Sequence, residues 1–300
     1  MYGTIIVGFD GSDQARDGLA LGRLLSGITG ARLVAAAVYD GGGGMREAYR
    51  SEWRAEMRGA AEATLAEVGA GVEAVAVDSS SAARGLHDLA EREEADLVVV
   101  GSCHRGRVGR VLAGSVGERL LHGAPCGVAI APRGFGAAGS AAVGVVGVGY
   151  DGGPESRAAL AGAVELARAA GARVRIVALV KPPERLGAKA GPVPAGEWAP
   201  LAGIRRELES AVDEALAQSP ADVEVAAEVI SGKTEDLGEQ EDLDLLVIGS
   251  RGYGPMRRAL LGSTSIPLVR HAKYPLIVFA RGARPATGNA QPAAGATAET

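Results

Sequence analysis

The sequence predicts a doubly wound α/β protein built from two tandem copies of one unit, each a parallel sheet covered by helices on both faces. Three observations carry this reading. Four sequence blocks return in the same order in the second half. Short, nearly continuous apolar runs alternate with longer helical stretches, the pattern of strands buried on both faces. A glycine-rich stretch follows the fourth run of each copy, "VVGSCHRGRVGRVLAGSVG" from Val99 and "VIGSRGYGPMRRALLGSTS" from Val247.

The repeated blocks define the organisation. "TIIVGFDGSDQARDGLALG" from Thr4 answers "GVVGVGYDGGPESRAALAGAV" from Gly144, which aligns Asp10 with Asp151. "GARLVAAAVYD" from Gly30 answers "GARVRIVALVK" from Gly171. "ADLVVVGS" from Ala95 answers "LDLLVIGS" from Leu243, and "APCGVAIAP" from Ala124 answers "AKYPLIVFAR" from Ala272. Such an ordered return is an internal duplication. It divides the chain into a first domain at 1–132, a linker at 133–141, a second domain at 142–282 and a tail at 283–300. The linker, small and glycine-rich, reads as flexible, and the tail, nearly without large apolar residues, as disordered.

Within the first copy, Ile5 to Phe9 reads as a strand and Ser12 to Ile28 as a helix. Leu33 to Val38 is the second strand, Arg46 to Val68 a long helix, and Val72 to Val77 the third strand. A helix over Ala82 to Glu93, a strand over Leu97 to Val100, a helix from Ser115 and a strand over Gly127 to Ala131 complete the unit. The second copy departs from this plan in a Pro/Gly/Ala-rich loop, Lys181 to Pro200, and in a third helix, Thr234 to Gln240, about a turn shorter than its counterpart.

Bulk composition narrows the function. A hydrophobic content of 47% with 22% charged residues gives each half enough apolar material for its own core. Aromatics are only 4%, so that core must be aliphatic. A net charge of −5 argues against a nucleic-acid-binding surface, but not against a small anion held by backbone dipoles. Cys103 and Cys126 form no C-x-x-C and read as reduced thiols. With no leader-like start and no apolar run near the ~20 residues of a membrane span, the expected setting is cytoplasmic, away from any membrane.

In an open parallel sheet, ligands bind beyond the carboxyl ends of the strands, where the winding reverses. There the loop after the first strand brings Asp10 or Asp151, and the loop after the fourth brings the glycines. In the second half Gly249, Gly252 and Gly262 are expected to allow close backbone approach and positive φ where needed. Ser263, followed by Thr264 and Ser265, stands at a helix start, where free amides favour phosphate. Each N–H to a charged oxygen contributes roughly 1.5–3 kcal/mol, so three or four support micromolar binding. The first half keeps Gly101, Gly114 and Ser115, followed by Val116, but His104 replaces the second glycine and Gly117 a hydroxyl. If that position needs a left-handed backbone, His104 costs roughly 1–2 kcal/mol, about tenfold in affinity. A weaker first site is therefore expected, unless the imidazole compensates by touching phosphate.

These motifs together resemble the universal stress protein family in its tandem-domain form: "VGFDGS" and "VGYDGG", "ADLVVVGS" and "LDLLVIGS", and the G-x2-G-x9-G-[ST] frame. The resemblance covers nearly the whole chain up to Gly282. It implies Rossmann-like domains of the adenine nucleotide alpha-hydrolase-like class, each a five-stranded parallel sheet in the order 3-2-1-4-5. It also implies ATP, or AMP or ADP, as ligand, with Mg²⁺ as an optional companion. By the same resemblance Gly8, Phe9 and Asp10, and Gly149, Tyr150 and Asp151, would meet the adenosine part. Val38 and Leu179 would offer backbone groups to adenine, and the ends of the fourth strands, Val100 and Ile248, would lead into the loops that hold ribose and phosphates. The fifth strands would pair the two halves as a built-in dimer, with room for further homo-oligomers. The expected role is a stress-response or signalling module that acts through nucleotide-dependent conformation or an unknown protein partner. A slow ATPase or phosphotransferase, and a nucleotide-free structural pseudo-dimer, stand as alternatives.

Other motifs carry less. "AEVISGKTED" ends like a phosphate-binding P-loop but has Ala227 where that loop needs glycine, so Lys233 reads as a solvated turn residue. "YDGGPES" lacks the leading serine and later acid of a pyrophosphatase loop. Arg105, Arg107, Arg110, Arg251, Arg257 and Arg258 read as a wet face more readily than as phosphate ligands. His87, His122 and His271 show no metal-ligand spacing, and Trp53 and Trp198 are expected to pack near the second helices.

Overall fold

A computed structural model describes residues 2–105, 107–139, 142–181, 199–250, 268–270 and 272–279. The first half runs β1 (Thr4–Gly8), α1 (Asp13–Thr29), β2 (Arg32–Tyr39), α2 (Glu47–Leu65), β3 (Glu73–Asp78), α3 (Ala82–Arg92), β4 (Leu97–Gly101), α4 (Ser115–Leu121) and β5 (Gly127–Ala131). The second repeats it as β6 (Val145–Tyr150), α5 (Pro154–Ala170), β7 (Arg173–Val180), α6 (Ala199–Ala217), β8 (Val225–Ser231), α7 (Thr234–Gly238), β9 (Leu245–Gly249) and β10 (Leu276–Phe279). Local chemistry explains the boundaries. Ser12 caps α1 by accepting from the Ala15 amide at 3.1 Å, and Gly30 ends it with φ of 73°. Pro154 opens α5 and Gly171, at φ 65°, closes it. The shortened helix is shorter than expected, five residues in α7 against eleven in α3.

The strands form one ten-stranded sheet in the order β3-β2-β1-β4-β5-β10-β9-β6-β7-β8. Each half therefore has the 3-2-1-4-5 order, and its winding reverses between β1 and β4 or between β6 and β9. β5 and β10 pair antiparallel and join the two halves in this sheet, Leu276 with Ile130 and Val278 with Val128. Side chains alternate across the sheet. Ile5 and Val7 enter a core under α1, α2, α5 and α6, while Ile6 enters a second core under α3, α4 and α7. Both cores run through both halves. Among the described residues no helix is long and apolar enough to cross a membrane.

Two expectations need correction here. The linker is not a free tether along its first part: buried Asp17 on α1 accepts from the amides of Gly134 (2.7 Å) and Gly136 (2.9 Å), and Phe135 packs against the core. Composition suggested flexibility, but a buried carboxylate supplied by another element specifies the path. Gly101 and Gly249 take no positive φ. A Cβ on Gly101 would lie 1.8 Å from the Gln14 carbonyl oxygen, and one on Gly249 2.5 Å from the Glu155 carbonyl. These glycines let α1 and α5 approach the ends of β4 and β9, and ligand approach is not what demands them.

Gly101→Ala and Gly249→Ala should each lower unfolding free energy by about 3 kcal/mol through overpacking. Gly27→Ala, whose Cβ meets nothing within 4 Å, should raise it by about 0.5–1 kcal/mol. Urea denaturation of the three variants checks the contrast.

Candidate functional site

At the first winding reversal the carboxyl ends of β1 and β4 diverge and leave a cavity of about 600 Å³. Its walls include Gly8, Phe9 and Asp10 after β1, Val38 from β2, and Val100, Gly101 and His104 at and after β4. Gly114, Ser115 and Val116 close the far end. All ten residues singled out in the first half thus line one crevice. Ser12, Gln14, Leu86 and Cys103 also line it and were missed. Ser12 had a signal, as the helix cap two residues after Asp10. Leu86 arrives from α3, and nothing local in its sequence points to the crevice.

The Asp10 side chain is held in place. Its Oδ1 accepts from the Ser12 amide at 3.0 Å and from the Ser12 hydroxyl at 2.5 Å, and neither bond uses Oδ2. Gly11 between them has φ of 77°, and its counterpart Gly152 has φ of 76°. The Asp-Gly turn thus takes a left-handed position, and within the glycine-rich loop Gly109 takes another, with φ of 73°. His104 has no positive φ, since Glu94 and Asp242 are the described non-glycine residues that do. The backbone cost expected for His104 falls away, and with it the reason to expect a weaker first site.

Backbone polarity sets the two ends of the crevice. The Ala36 carbonyl accepts from Phe9, just past the end of β1, and the Tyr39 carbonyl accepts from Ser79 on the β3 side, each at 2.9 Å. Val38, in phase with Ala36, therefore turns its N–H and C=O toward β1, whose pairing with β2 has already ended at Gly8. At the opposite end α4 begins at Gly114, a cap without a side chain, and its ladder starts with Glu118 N–H to Gly114 C=O at 2.8 Å. The amides of Ser115, Val116 and Gly117 precede that ladder and have no acceptor within the helix. Ser115 is exposed and is the first helical residue, where the sequence places the helix start.

The loop between β4 and α4 is tied down near both of its ends. Ser102, buried, sends its hydroxyl to the Ala131 carbonyl at 2.7 Å and accepts from the Leu112 amide at 3.1 Å. Cys103 N–H donates to Leu112 C=O at 2.7 Å. Arg110 is neither a wet-face residue nor aimed at the cavity: it pairs with Glu239 of the second half, which also meets Lys273 Nζ at 2.7 Å. The Arg110 and Lys273 hydrogen bonds lower the Glu239 carboxyl from its ordinary 4.5 to about 2. Arg105 does line the cavity, and Arg107 is exposed.

In the second half, Gly149, Tyr150 and Asp151 follow the same turn, with Asp151 Oδ1 accepting from Gly153 N–H at 3.0 Å. Leu179 lies one residue beyond the last β6–β7 pair, and Ile248 and Gly249 end β9. Gly252, Gly262, Ser263, Thr264 and Ser265 lie outside the described residues, as do Arg251, Arg257, Arg258, His271, Trp198 and the tail. Among the weaker motifs, Lys233 is an exposed helix cap whose amide meets Asp236 at 2.7 Å. Trp53 donates from Nε1 to the Asp40 carbonyl at 2.9 Å. His87 was read without ligand spacing, yet with Asp88 and Glu91 it forms a trio whose ligand atoms lie within 4.8 Å. Both acids are exposed, and Asp88 faces Arg84 at 3.8 Å.

Comparison with known proteins agrees with the duplication. The model of the family described as "Universal stress protein family" matches residues 1–132 and again 143–280. A universal stress protein of Mycobacterium bovis is 30% identical over 210 residues, 66% of this chain and 69% of that one. One of Thermus aquaticus is 30% identical over 134 residues, 43% of this chain but 97% of its own length. Among solved structures, a universal stress protein of Archaeoglobus fulgidus superposes with a TM-score of 0.59 at 21% identity, covering 92% of this chain and 95% of that one. A putative one of Pseudomonas aeruginosa gives 0.59 at 16%, with 93% of each chain covered.

The folded state favours ionised Glu239, so its contribution to stability is complete above the ordinary value of 4.5 and is lost as pH falls toward 2. The difference in urea midpoint between the natural chain and Glu239→Gln should be constant above about pH 5 and close toward about pH 2.

Proposed function

Because the chain belongs to the universal stress protein family, we propose that its first crevice binds an adenine nucleotide, ATP or its di- and monophosphate. Occupancy then sets the conformation of the β4–α4 loop for a protein partner in a stress or signalling response. The observation that carries this reading is the polarity of the crevice. A fixed carboxylate and an outward-facing strand backbone lie at one end, and helix amides without an internal acceptor lie at the other.

The fit is chemical as well as spatial. About 600 Å³ lies within the range of small-ligand pockets. Adenine would lie along Val38, whose N–H and C=O match a donor–acceptor edge, with Leu86 and Val100 as apolar walls. Asp10, already oriented by Ser12, would accept from ribose hydroxyls. Phosphate would sit on the amides of Ser115 and Val116, with His104 and Arg105 beside it. Mg²⁺ would enter with the phosphates, since Asp10 belongs to the nucleoside end. The second crevice repeats the nucleoside-side residues, Gly149, Tyr150, Asp151 and Leu179, and we assign it the same ligand. The acidic net charge supports a small ligand over nucleic acid, and the setting consistent with this role is cytoplasmic.

Calorimetric titration with MgATP should show binding to the natural chain. Asp10→Ala should weaken the first site by roughly 10–100-fold, the loss of one charge-assisted contact of about 1.5–3 kcal/mol, with the melting temperature nearly unchanged. Mass analysis of small molecules released by heating the purified protein should find an adenine nucleotide. No released nucleotide together with no binding at millimolar ATP overturns the reading.

A further inference from the structure

The phosphate-side loop of the first crevice is held by the opposite half of the chain. Val111 N–H donates to Ala272 C=O, and Ala113 N–H to Val269 C=O, each at 2.8 Å. Both acceptors lie in the segment that leads into β10. Beside them Arg110 reaches Glu239, just past the end of α7, through both guanidinium nitrogens. Glu239 is itself braced from the same segment. Lys273 Nζ meets its carboxylate, Lys273 N–H donates to Gly238 C=O at 3.2 Å, and Tyr274 O–H donates to Leu237 C=O. Val111 and Ala113 share a buried core with Leu237, Leu268, Val269 and Ala272.

These contacts fall on residues 110, 111 and 113, and residue 114 is the cap of α4. The Arg110 pair, two backbone hydrogen bonds and shared apolar burial thus fix the segment that sets where the first amides of α4 point. Inside the first half, the Cys103–Leu112 bond carries the same constraint to the wall that bears His104.

We propose that Glu239 is a positioning residue for the first crevice, and that the phosphate-binding end of this site is completed by the second half of the chain. The proposal rests on the nucleotide reading of the crevice. It makes affinity for the phosphates, more than for the nucleoside, depend on the Arg110–Glu239–Lys273 cluster. Any event that moves the end of α7 or the approach to β10 is then felt as a change in nucleotide affinity about the first winding reversal, as linkage requires.

The test uses the full chain carrying Asp151→Ala to weaken the second crevice, and titrates MgATP and adenosine in parallel. Glu239→Gln should weaken ATP about tenfold and adenosine less than about twofold, with Glu239→Asp recovering most of the loss. Amide exchange at Val111 and Ala113 should accelerate in Glu239→Gln. A variant that lowers the melting temperature but leaves the ratio of ATP to adenosine affinity unchanged overturns the positioning role and leaves the nucleotide reading standing. Failure of ATP to bind the unsubstituted chain overturns both, and a normal ATP affinity in Glu239→Gln with unchanged exchange overturns this proposal alone.

Discussion

The antiparallel seam between β5 and β10 is the contact on which the rest of the molecule depends. Each half ends in a fully buried strand, "GVAIA" and "LIVF", with apolar side chains on both faces. Such a strand cannot remain at the edge of a sheet without exposing both its backbone groups and its side chains. Pairing the two satisfies the backbone and joins the cores of the two halves into two long ones, one on each face of the ten-stranded sheet. Phe279 shows how tightly the join is made. It packs so close to Gly162 that a Cβ there would lie 2.8 Å from its ring, and the Tyr2 hydroxyl reaches the Gly162 carbonyl from the first half.

The same seam brings the second half under the first crevice. The strand that pairs with β5 is preceded by the segment that accepts from Val111 and Ala113. The loop that shapes the crevice is therefore supported from outside its own repeat. This division of labour separates the end of the crevice assembled within one copy by Asp10, Ser12 and Val38 from the far end, whose geometry draws on both copies. The glycines divide in the same way. Gly101 and Gly249 serve helix packing, Gly11 and Gly152 serve the Asp-Gly turn, and Gly114 leaves α4 without a side-chain cap.

Much of this was legible in the residues. Strand and helix types followed from apolar periodicity, and the lining of the first crevice from the recurring motifs together with the family resemblance, which supplied Val38. Legibility failed wherever one element acts on another distant in sequence. The role of Gly101 depends on the Gln14 carbonyl, the path of the linker on Asp17, and the engagement of Arg110 on Glu239. His104 looked like a strained substitute because a glycine was expected there, but the left-handed positions lie at Gly11 and, within the loop, at Gly109.

The sequence by itself determined the duplication, the identity of the elements, the order of the strands by resemblance, and which short motifs face a common edge. Those properties are local or repeated, so they leave a pattern in one dimension. Only the tertiary structure decided that the first glycine-rich loop rests on the second half, that Asp17 holds the chain after β5, and that Arg110 pairs with Glu239. Each of these is a pairing between groups whose only relation is distance in space. A hydrogen bond 2.8 Å long across the repeat leaves no periodicity, spacing or composition behind it in the chain.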